Sequence, residues 1–456
     1  MERLNAVKRT LTKRHAWFES AKSEVVDNFS DHESLTLELT ASQISELADR
    51  SSDLIEGIDQ YKLAYDGIQT AMDATGVDPW ATDFAGRDGA GLGIYMTELG
   101  CPNSNHITNY TRLGSPQRTN HSELVSGIIR AVSPESWLYC RGGRVLPRAA
   151  DLDGVGGRPP IHIANVSWGL QDASFYQVQD RDWDNLVYNE GVAVFAIAGN
   201  HGGSGDSNEV DSPGKGYNVV TVGSFSDTND WYSFFSSDKN PAAGQTKPDV
   251  LAPGENIAAA GRMDSGTSFA SPHAAGFAAN LMSEWMQYAP ATLKATLLAS
   301  STYSIGGVSQ GTVGAEGLDF HNAFYGAYFH KWSGSNSSFG YFAANDGGSS
   351  WDDNFLEAPV DLNASMSNVR IVFSYLNRGS WAYQYPGSSW ALGTSYRMRV
   401  RNPSGQTIAY TDVSWENPYL MLEIDPTVTG TYNVMIERVG NNDYSANFIA
   451  GLNVTW

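Results

Sequence analysis

The sequence predicts an α/β protein in which a mostly parallel β-sheet is flanked by helices. An N-terminal α+β unit precedes this core, and a C-terminal antiparallel β-sandwich follows it. Three observations support the prediction. Short, fully apolar runs alternate with helical stretches over residues 64–330, apolar and polar residues alternate singly after residue 351, and residues 1–63 are rich in charge and poor in glycine. The length of 456 residues agrees with several domains of about 100–200 residues each.

The first unit comprises residues 1–63. Leucines alternate with polar residues in LTLEL (35–39), which predicts a strand. Thr40 and Gln43 have the spacing of a capping box, which predicts that a short helix begins there. Residues 54–58 are expected to form a second strand.

The second unit, residues 64–330, is expected to contain the parallel sheet. Strands that are apolar on both faces are typical of sheets buried between two layers of helices. The apolar runs are GIYMT (93–97), SWLYC (136–140), IHIANVS (161–167), VAVFAIA (192–198) and YNVVTVG (217–223).

The remaining residues divide into a linker and a sandwich. Residues 331–350 are rich in Ser, Gly and Asn, which favours a linker. Residues 351–456 show the two-residue period of antiparallel strands, as in YRMRV (396–400). Four aromatic residues there either form a binding platform or pack between the sheets: Trp381, Tyr383, Tyr385 and Trp390.

Charge and composition exclude several classes of function. Acidic residues outnumber basic ones by 50 to 29, which gives a net charge of −21. Because phosphate is bound mainly by Lys and Arg, the chain is a poor candidate for binding nucleic acid or anionic membranes. No run of about 18 apolar residues occurs, so no membrane-spanning helix is expected.

The expected location is secreted or periplasmic, with the cytoplasm as the alternative. The abundance of Gly, Trp and Tyr is typical of secreted proteins. The first twenty residues are basic and lack the apolar core of a signal peptide, so either the protein stays inside the cell or its signal peptide has been removed.

The strongest motif is GTSFASP (266–272), which is followed by the helical stretch HAAGFAANLM (273–282). Ser268 is expected at a helix N-terminus, where its hydroxyl is exposed and the helix dipole favours negative charge. Pro272 is expected in the first turn, where proline is tolerated. The alternative is a helix start whose small residues serve only packing.

GTSFASP resembles the nucleophile motif of the subtilisin-like serine proteases, the subtilases, and other blocks of the chain resemble that family in the family's order. The resemblance covers about residues 64–330. These blocks are Asn120-His121-Ser122, Ser167-Trp168-Gly169, Ala198-Gly199-Asn200, KPDVLAPG (247–254) and EGLDFHNAF (316–324).

The resemblance implies a serine endopeptidase that acts on proteins or peptides without a cofactor. Ser268 would attack the scissile carbonyl, and His121 would carry the proton to the leaving amine. Asn200 and the Ser268 backbone N–H would bind the oxyanion. Ser167, Trp168 and Gly169 would pair with the substrate and line its specificity pocket. His162 and His273 are expected to be packing residues.

The sequence departs from the family pattern at the third catalytic residue, which is usually an aspartate. Glu98 stands at the end of the first core strand, and a well-placed glutamate serves in other hydrolases. Asp88, which precedes the strand, is the rival. Ser122-Glu123-Leu124 replaces the usual Gly-Thr-His after the histidine. These changes leave two alternatives open: a weakened or silent binding protein, and a protease that cuts only itself.

The ungapped interval from Asn200 to Pro213-Gly214-Lys215 is similar to that of the subtilisins, and this resemblance implies that Asp211 lies at the base of the pocket for the residue that precedes the cut. A buried carboxylate there would favour Lys or Arg. An exposed aspartate in a loop is the alternative.

The resemblance also implies that residues 1–63 are a propeptide, which inhibits the enzyme until it is cut off within about residues 60–70. An unrelated appendage is the alternative. Cys101 and Cys140 lie on strands that neighbour each other in the family, so they either form a disulfide or remain two thiols. Structural calcium is a further implication of the resemblance, with no ligand assigned; the candidate loops are Asp151–Gly154, Asp206–Asn208 and Asp352–Asn354.

Overall fold

The structure is a computed structural model. It describes residues 23–24, 36–37, 68–78, 87–103, 107–171, 175–203, 209–239, 241, 244–284, 289–308, 313–325, 327–335, 355–443 and 445–456. Within the first 63 residues it describes strands β1 (Ser23–Glu24) and β2 (Thr36–Leu37), which pair antiparallel. The second of these lies in the predicted LTLEL strand. The helix predicted after Thr40 and the strand predicted at 54–58 lie outside the described residues.

An eight-stranded sheet forms the centre of the chain. Across the sheet the order is β10-β8-β7-β6-β3-β5-β4 with every neighbour parallel, and β9 pairs antiparallel with β8. The strands are β3 (Gly93–Glu98), β4 (Tyr110–Leu113), β5 (Trp137–Gly142), β6 (Ile161–Val166), β7 (Ala193–Ile197), β8 (Val220–Ser226), β9 (Trp231–Tyr232) and β10 (Val250–Pro253). The predicted parallel sheet is confirmed.

Helices cover both faces of this sheet. Within the described residues they are α1 (Gln69–Thr75), α2 (Asn120–Val132), α3 (Ala149–Leu152), α4 (Val178–Glu190), α5 (Thr267–Glu284), α6 (Pro290–Ser300), α7 (Phe320–Tyr325) and, among the later strands, α8 (Gly379–Ala382). Ile94 and Met96 of β3 belong to the core that contains α2 and α5, whereas Tyr95 belongs to the core that contains α4. This alternation explains why the strand is apolar on both faces.

Strand β8 begins at Val220, three residues after the start that the apolar run predicted. The backbone N–H groups of Tyr217 and Asn218 donate instead to the Asp184 carboxylate, at 2.8 and 2.7 Å. Because a side chain from α4 takes these donors, the ladder starts later than hydrophobicity alone indicates.

Parallel strands end at one edge of the sheet, and this edge assembles the predicted site. Glu98 is the last residue of β3, Ser167 follows β6, and Ala198–Asn200 follow β7. These three strands are neighbours, so the segments after them lie side by side. A hairpin of β11 (Ile257–Ala259) and β12 (Arg262–Asp264) leads into α5.

The antiparallel strands expected towards the C-terminus are present as two four-stranded sheets, β13-β20-β15-β18 and β14-β19-β16-β17. Side chains from both sheets share one hydrophobic core, which includes Phe373 and Leu452 from the first sheet and Tyr396 and Ile436 from the second. The strands are β13 (Ala327–Ser335), β14 (Phe355–Leu362), β15 (Val369–Tyr375), β16 (Thr394–Arg401), β17 (Thr407–Tyr410), β18 (Tyr419–Ile424), β19 (Gly430–Asn441) and β20 (Asn447–Thr455).

Strand β13 corrects the predicted linker of residues 331–350. Residues 331–335 are paired with β20, although their sequence KWSGS is rich in Ser and Gly. Backbone pairing with a long neighbouring strand outweighs the weak strand propensity of these residues. Residues 336–350 lie outside the described residues.

Helix α6 connects the parallel sheet to the C-terminal strands. Asn453 of β20 donates from Nδ2 to Thr296 Oγ1 at 3.0 Å. Gly451 lies so close that an added Cβ would be 2.3 Å from the Thr292 Cα. None of the helices in the described ranges has the length and apolar character needed to cross a bilayer.

Candidate active site

Glu98 and His121 meet at the carboxyl edge of the sheet. His121 is the second residue of α2, whose first turn is capped by Thr119: its Oγ1 accepts from the Ser122 N–H at 3.2 Å. This cap fixes the helix start, and the imidazole Nδ1 lies 3.1 Å from Glu98 Oε2. The Glu98 carbonyl accepts from the Gly143 N–H at 2.7 Å, which holds the end of β3. The Glu98 carboxylate therefore reaches the His121 imidazole from the C-terminal end of β3.

The surroundings of this pair change the pKa of both groups. Burial raises the pKa of Glu98, and the hydrogen bond from His121 opposes that increase. Burial alone lowers the pKa of His121, but the hydrogen bond and the negative charge of Glu98 outweigh burial and leave the imidazole pKa raised. The carboxylate thus stabilises the protonated ring.

Asp88 does not reach this site. It precedes β3, and its carbonyl accepts from the Glu135 N–H at 2.8 Å, at the start of β5. Its carboxylate accepts from the Ala90 N–H at 3.1 Å. Asp88 is therefore at the opposite end of the strand from Glu98.

Ser268 is the second residue of α5, and the residue after it packs against the histidine. The ring of the next residue, Phe269, is 5.4 Å from the His121 ring. The Ser268 hydroxyl donates to the Ser167 carbonyl at 3.2 Å. Within the described residues no hydrogen bond joins Ser268 to His121. In enzymes without substrate, the distance between nucleophile and base is often too long for a hydrogen bond, and it shortens when substrate binds.

Pro272 corrects one detail of the motif. It is the sixth residue of α5, beyond the first turn, where it has no N–H to give to the Ser268 carbonyl one turn earlier. The proline is buried, and Ser271 before it donates from Oγ to Asn165 Oδ1 at 2.9 Å.

Asn200 is oriented by the residue before Ser268. The backbone N–H and the hydroxyl of Thr267 both donate to Asn200 Oδ1 at 2.9 Å. A backbone N–H can only donate, so the atom that faces it is the amide oxygen. The Nδ2 donor is consequently on the side of Gly266, the residue two before Ser268.

The segment Ser167–Gly169 forms one wall beside Ser268. Leu170 and Ser212 exchange backbone hydrogen bonds of 2.9 and 3.1 Å, which tie this wall to the segment that contains Asp211. Trp168 is buried, and the Arg144 guanidinium lies 5.8 Å from its ring.

Asp211 lies between two walls that flank the serine. A Cβ on Gly169 would be 2.6 Å from the Asp211 Cβ, and Gly199, which has a φ of +112°, would bring a Cβ 2.9 Å from Asp211 Oδ2, so glycine is required at both positions. Asp211 is only 5% exposed. The alternative of an exposed loop aspartate is wrong, because these two segments enclose the side chain.

Glu123, a departure from the family pattern, has a structural explanation. Arg262 of β12 donates to Glu123 Oε2 from Nε and Nη2, at 2.8 and 2.7 Å, and Arg118 contacts the other oxygen. Burial acts to raise the Glu123 pKa, but the two guanidiniums outweigh it and the pKa is lowered. Glu123 therefore ties the histidine helix to the hairpin that precedes Ser268, a role that sequence reasoning missed.

The two cysteines form a disulfide, with a Cα–Cα distance of 5.9 Å. It joins the chain three residues after Glu98 to β5. This finding decides between the bridge and the two free thiols that the sequence left open.

Asp151, in the first candidate calcium loop, is engaged by two donors of the protein. Asp151 Oδ2 accepts from Arg141 Nη2 at 2.5 Å and from the Arg148 N–H at 3.0 Å, so its carboxylate is already neutralised. Across the described ranges no three His, Cys, Asp or Glu side chains gather in a way that could bind a metal. The loops at 206–208 and 352–354 lie outside the described residues.

His162 and His273 lie away from the Glu98–His121 pair. His162 is half-buried and accepts from the Gly93 N–H at 3.3 Å. His273 is buried against α1, where its Nε2 is 2.8 Å from Thr75 Oγ1, and burial lowers its pKa to about 3. Such an imidazole stays neutral and has a packing role.

Comparison with known proteins bears on the family to which the chain belongs. Residues 109–341, just over half of the chain, match the model of the subtilase family; the match begins after Glu98. Subtilisin amylosacchariticus of Bacillus subtilis subsp. amylosacchariticus is 34% identical over 258 residues, which are 52% of this chain and 61% of that relative. Subtilisin of Bacillus pumilus is 33% identical over 258 residues, which are 52% of this chain and 84% of that relative.

A solved structure of a cold-adapted subtilisin-like serine proteinase has 24% sequence identity and a TM-score of 0.40, and the similarity covers 51% of this chain and 89% of that one. The matched region of this chain covers 61% of the length of subtilisin amylosacchariticus, which is less than two thirds. The family match over half of its residues nevertheless shows that the chain belongs to the subtilase family.

Proposed function

We propose that this chain is a serine endopeptidase that works through an acyl-enzyme, with Glu98, His121 and Ser268 as the triad. The observation that carries the proposal is the 3.1 Å contact between His121 Nδ1 and Glu98 Oε2, next to the helix start that presents Ser268. Glutamate thus takes the role that aspartate has in most of the family.

The contact sets the direction of proton transfer. With Nδ1–H donating to Glu98, the lone pair of His121 is on Nε2, where it accepts the Ser268 proton as the hydroxyl attacks the carbonyl. His121 then gives this proton to the leaving amine, and water repeats the sequence on the acyl-enzyme. Asn200 Nδ2 and the Ser268 N–H hold the oxyanion, and removal of one such donor typically costs about 10²–10³-fold in kcat.

Substrate binding prepares the serine in this mechanism. The Ser167 carbonyl now accepts from the Ser268 hydroxyl. A substrate backbone N–H that pairs with Ser167 replaces that donor, and the hydroxyl turns to His121. Binding and activation of the nucleophile are therefore coupled.

Asp211 supports a preference for Lys or Arg before the cut. Its buried carboxylate lies between the walls Ser167–Gly169 and Ala198–Asn200, where it would attract a basic side chain of the substrate. A neutral side chain leaves this charge without a strong partner from the substrate.

Residues 1–63 are proposed to be a propeptide that the enzyme removes within about residues 60–70, so that the protein is made as a zymogen. A secreted or periplasmic location is proposed as well, because disulfides such as Cys101–Cys140 persist mainly in oxidising compartments. N-terminal sequencing after incubation tests the processing: a new N-terminus in the wild type, and none in Ser268→Ala, supports self-cleavage.

One observation favours a second candidate, a silent binding protein on the same fold: the Ser268 hydroxyl is bound to Ser167 rather than to His121. Labelling with a fluorophosphonate probe and digestion of casein, with wild type and Ser268→Ala in parallel, decide between the two. The protease predicts labelling and digestion by the wild type alone, with a loss of about 10⁶-fold in the variant. An unlabelled wild type that leaves casein intact rejects the protease.

A further inference from the structure

We propose that His201 determines specificity, because its imidazole caps the Asp211 carboxylate and an entering cationic side chain must replace it. This inference rests on the proposed function and deepens it. It names the group with which an amidinium, guanidinium or ammonium ligand competes, a group to which neither the sequence nor the family match assigns a role.

The first argument is the position of the carboxylate. The Asp211 N–H donates to the Ala198 carbonyl at 2.9 Å, so its backbone is held against the wall that contains Gly199 and Asn200. The two glycines let the carboxylate approach both walls, and burial removes most of its water. A desolvated carboxylate needs a partner that donates hydrogen bonds or carries positive charge.

The second argument is that the His201 imidazole contacts this carboxylate and is the more exposed of the two side chains. Its Nε2 lies 3.2 Å from Asp211 Oδ1, and its side chain is 29% exposed whereas that of Asp211 is 7% exposed. The His201 backbone N–H donates to Ser237 Oγ at 3.2 Å, which holds the residue in place directly after Asn200. The imidazole is therefore partly exposed while it contacts the buried acid.

The third argument is the chemistry of exchange. A cationic ligand group forms charge-assisted hydrogen bonds with a carboxylate, which are about twice as strong as neutral ones. Such a group gains by replacing the imidazole, whereas a neutral group of the same shape gains nothing and leaves the pair intact. The free energy by which a cation is preferred is consequently the energy of its interaction with Asp211 minus the energy of the His201–Asp211 interaction that it replaces.

A matched pair of small ligands tests this without requiring catalysis. Benzamidine and benzamide have nearly the same shape and differ in charge. Their dissociation constants are measured by calorimetry at about pH 8 on the full chain, as wild type, Asp211→Asn, His201→Ala and, as a control at an exposed carboxylate of β14, Asp361→Asn. Thermal unfolding confirms that each variant is folded, and His201→Asn, whose shorter side chain withdraws the donor, replaces His201→Ala if that variant is unfolded.

Wild type is expected to prefer benzamidine, and Asp211→Asn to lose that preference. His201→Ala is expected to raise the preference about tenfold, which corresponds to about 1.4 kcal/mol, and Asp361→Asn to leave it unchanged. An unchanged or reduced preference in both His201 variants overturns the inference, as does a preference that survives Asp211→Asn. If the wild type binds as expected but Ser268 is not labelled by the fluorophosphonate, the proposed protease fails and the pocket stands.

Discussion

Two buried carboxylates in the parallel-sheet region are held in contrasting ways. Asp249 accepts from Lys247 Nζ at 2.7 Å and from the Thr221 N–H at 2.8 Å, and Lys294 Nζ lies 3.0 Å from its other oxygen. Glu98 is also buried, but its one ion-pair partner among the described residues is His121, whose Nδ1 lies 3.1 Å from Oε2.

Their pKa values move in opposite directions as a result. Burial raises the pKa of Glu98 and the imidazole compensates only in part. Burial acts on Asp249 in the same way, but Lys247 and Lys294 outweigh it and lower the pKa. Full neutralisation produces a fixed structural anchor, whereas partial neutralisation leaves a group that can respond to a proton on its neighbour.

The largest expected effect is on catalysis, from Glu98→Gln. The amide neither stabilises the imidazolium nor selects the productive tautomer, so kcat should fall about 10⁴-fold. Hydrolysis of a peptide substrate measures it, and the unfolding curve should stay close to that of the wild type. Activity within tenfold of the wild type would show that Glu98 is only a buried packing residue.

The next effect is on stability, from Asp249→Asn. Two buried ammonium groups lose their counter-charge, and the free energy of unfolding should fall by about 3–5 kcal/mol. Urea denaturation measures it. Asp361→Asn, at an exposed carboxylate of β14 that accepts from Thr431 at 2.6 Å, is the matched control and should change the free energy by less than about 0.5 kcal/mol. If the two variants lowered the free energy of unfolding equally, the buried Asp249 would stabilise the fold no more than the exposed Asp361 does.

A smaller loss is expected from Glu98→Asp, which restores the acid usual in the family. The carboxylate withdraws by one methylene while β3 stays in place, so kcat should fall about 10²-fold. Steady-state kinetics with one peptide substrate compares it with Glu98→Gln. An increase in kcat would mean that glutamate is a less effective catalytic acid than aspartate at position 98.

The smallest effect concerns pH. His121 must be neutral to accept the serine proton, and its pKa lies above the ordinary 6.5. As the pH falls, the wild type should therefore lose activity at a higher pH than an enzyme with an unperturbed imidazole. In Glu98→Gln the imidazole pKa is lower, so its residual activity should persist to lower pH. The pH profiles of kcat for both proteins measure this, and identical acid limbs would contradict the coupling.

The sequence predicted those parts of the molecule that depend on local pattern. Apolar runs located β3, β6 and β7, and a helix start located Ser268. Strand β4 was missed because it is a short edge strand, YTRL, with three of its four residues not buried. The late start of β8 could not be foreseen, since it depends on Asp184 from another element.

The same division applies to the candidate site. The acid, base and nucleophile follow strand ends and helix starts, so motifs locate them. Glu123 and Arg262 are 139 positions apart, and only the packing of α2 against the β12 hairpin brings them together. His201 lacks a motif as well, and Asp211 was located only because the interval that follows Asn200 resembles that of the subtilisins.

The contact between Gly451 and Thr292 has a consequence for engineering. Since even a methyl group at position 451 has no room, the C-terminal sheets cannot be treated as an interchangeable cassette. A chimera that grafts them onto another catalytic unit needs the surface of α6 transplanted with them, and a truncated design needs a new polar exterior for that helix.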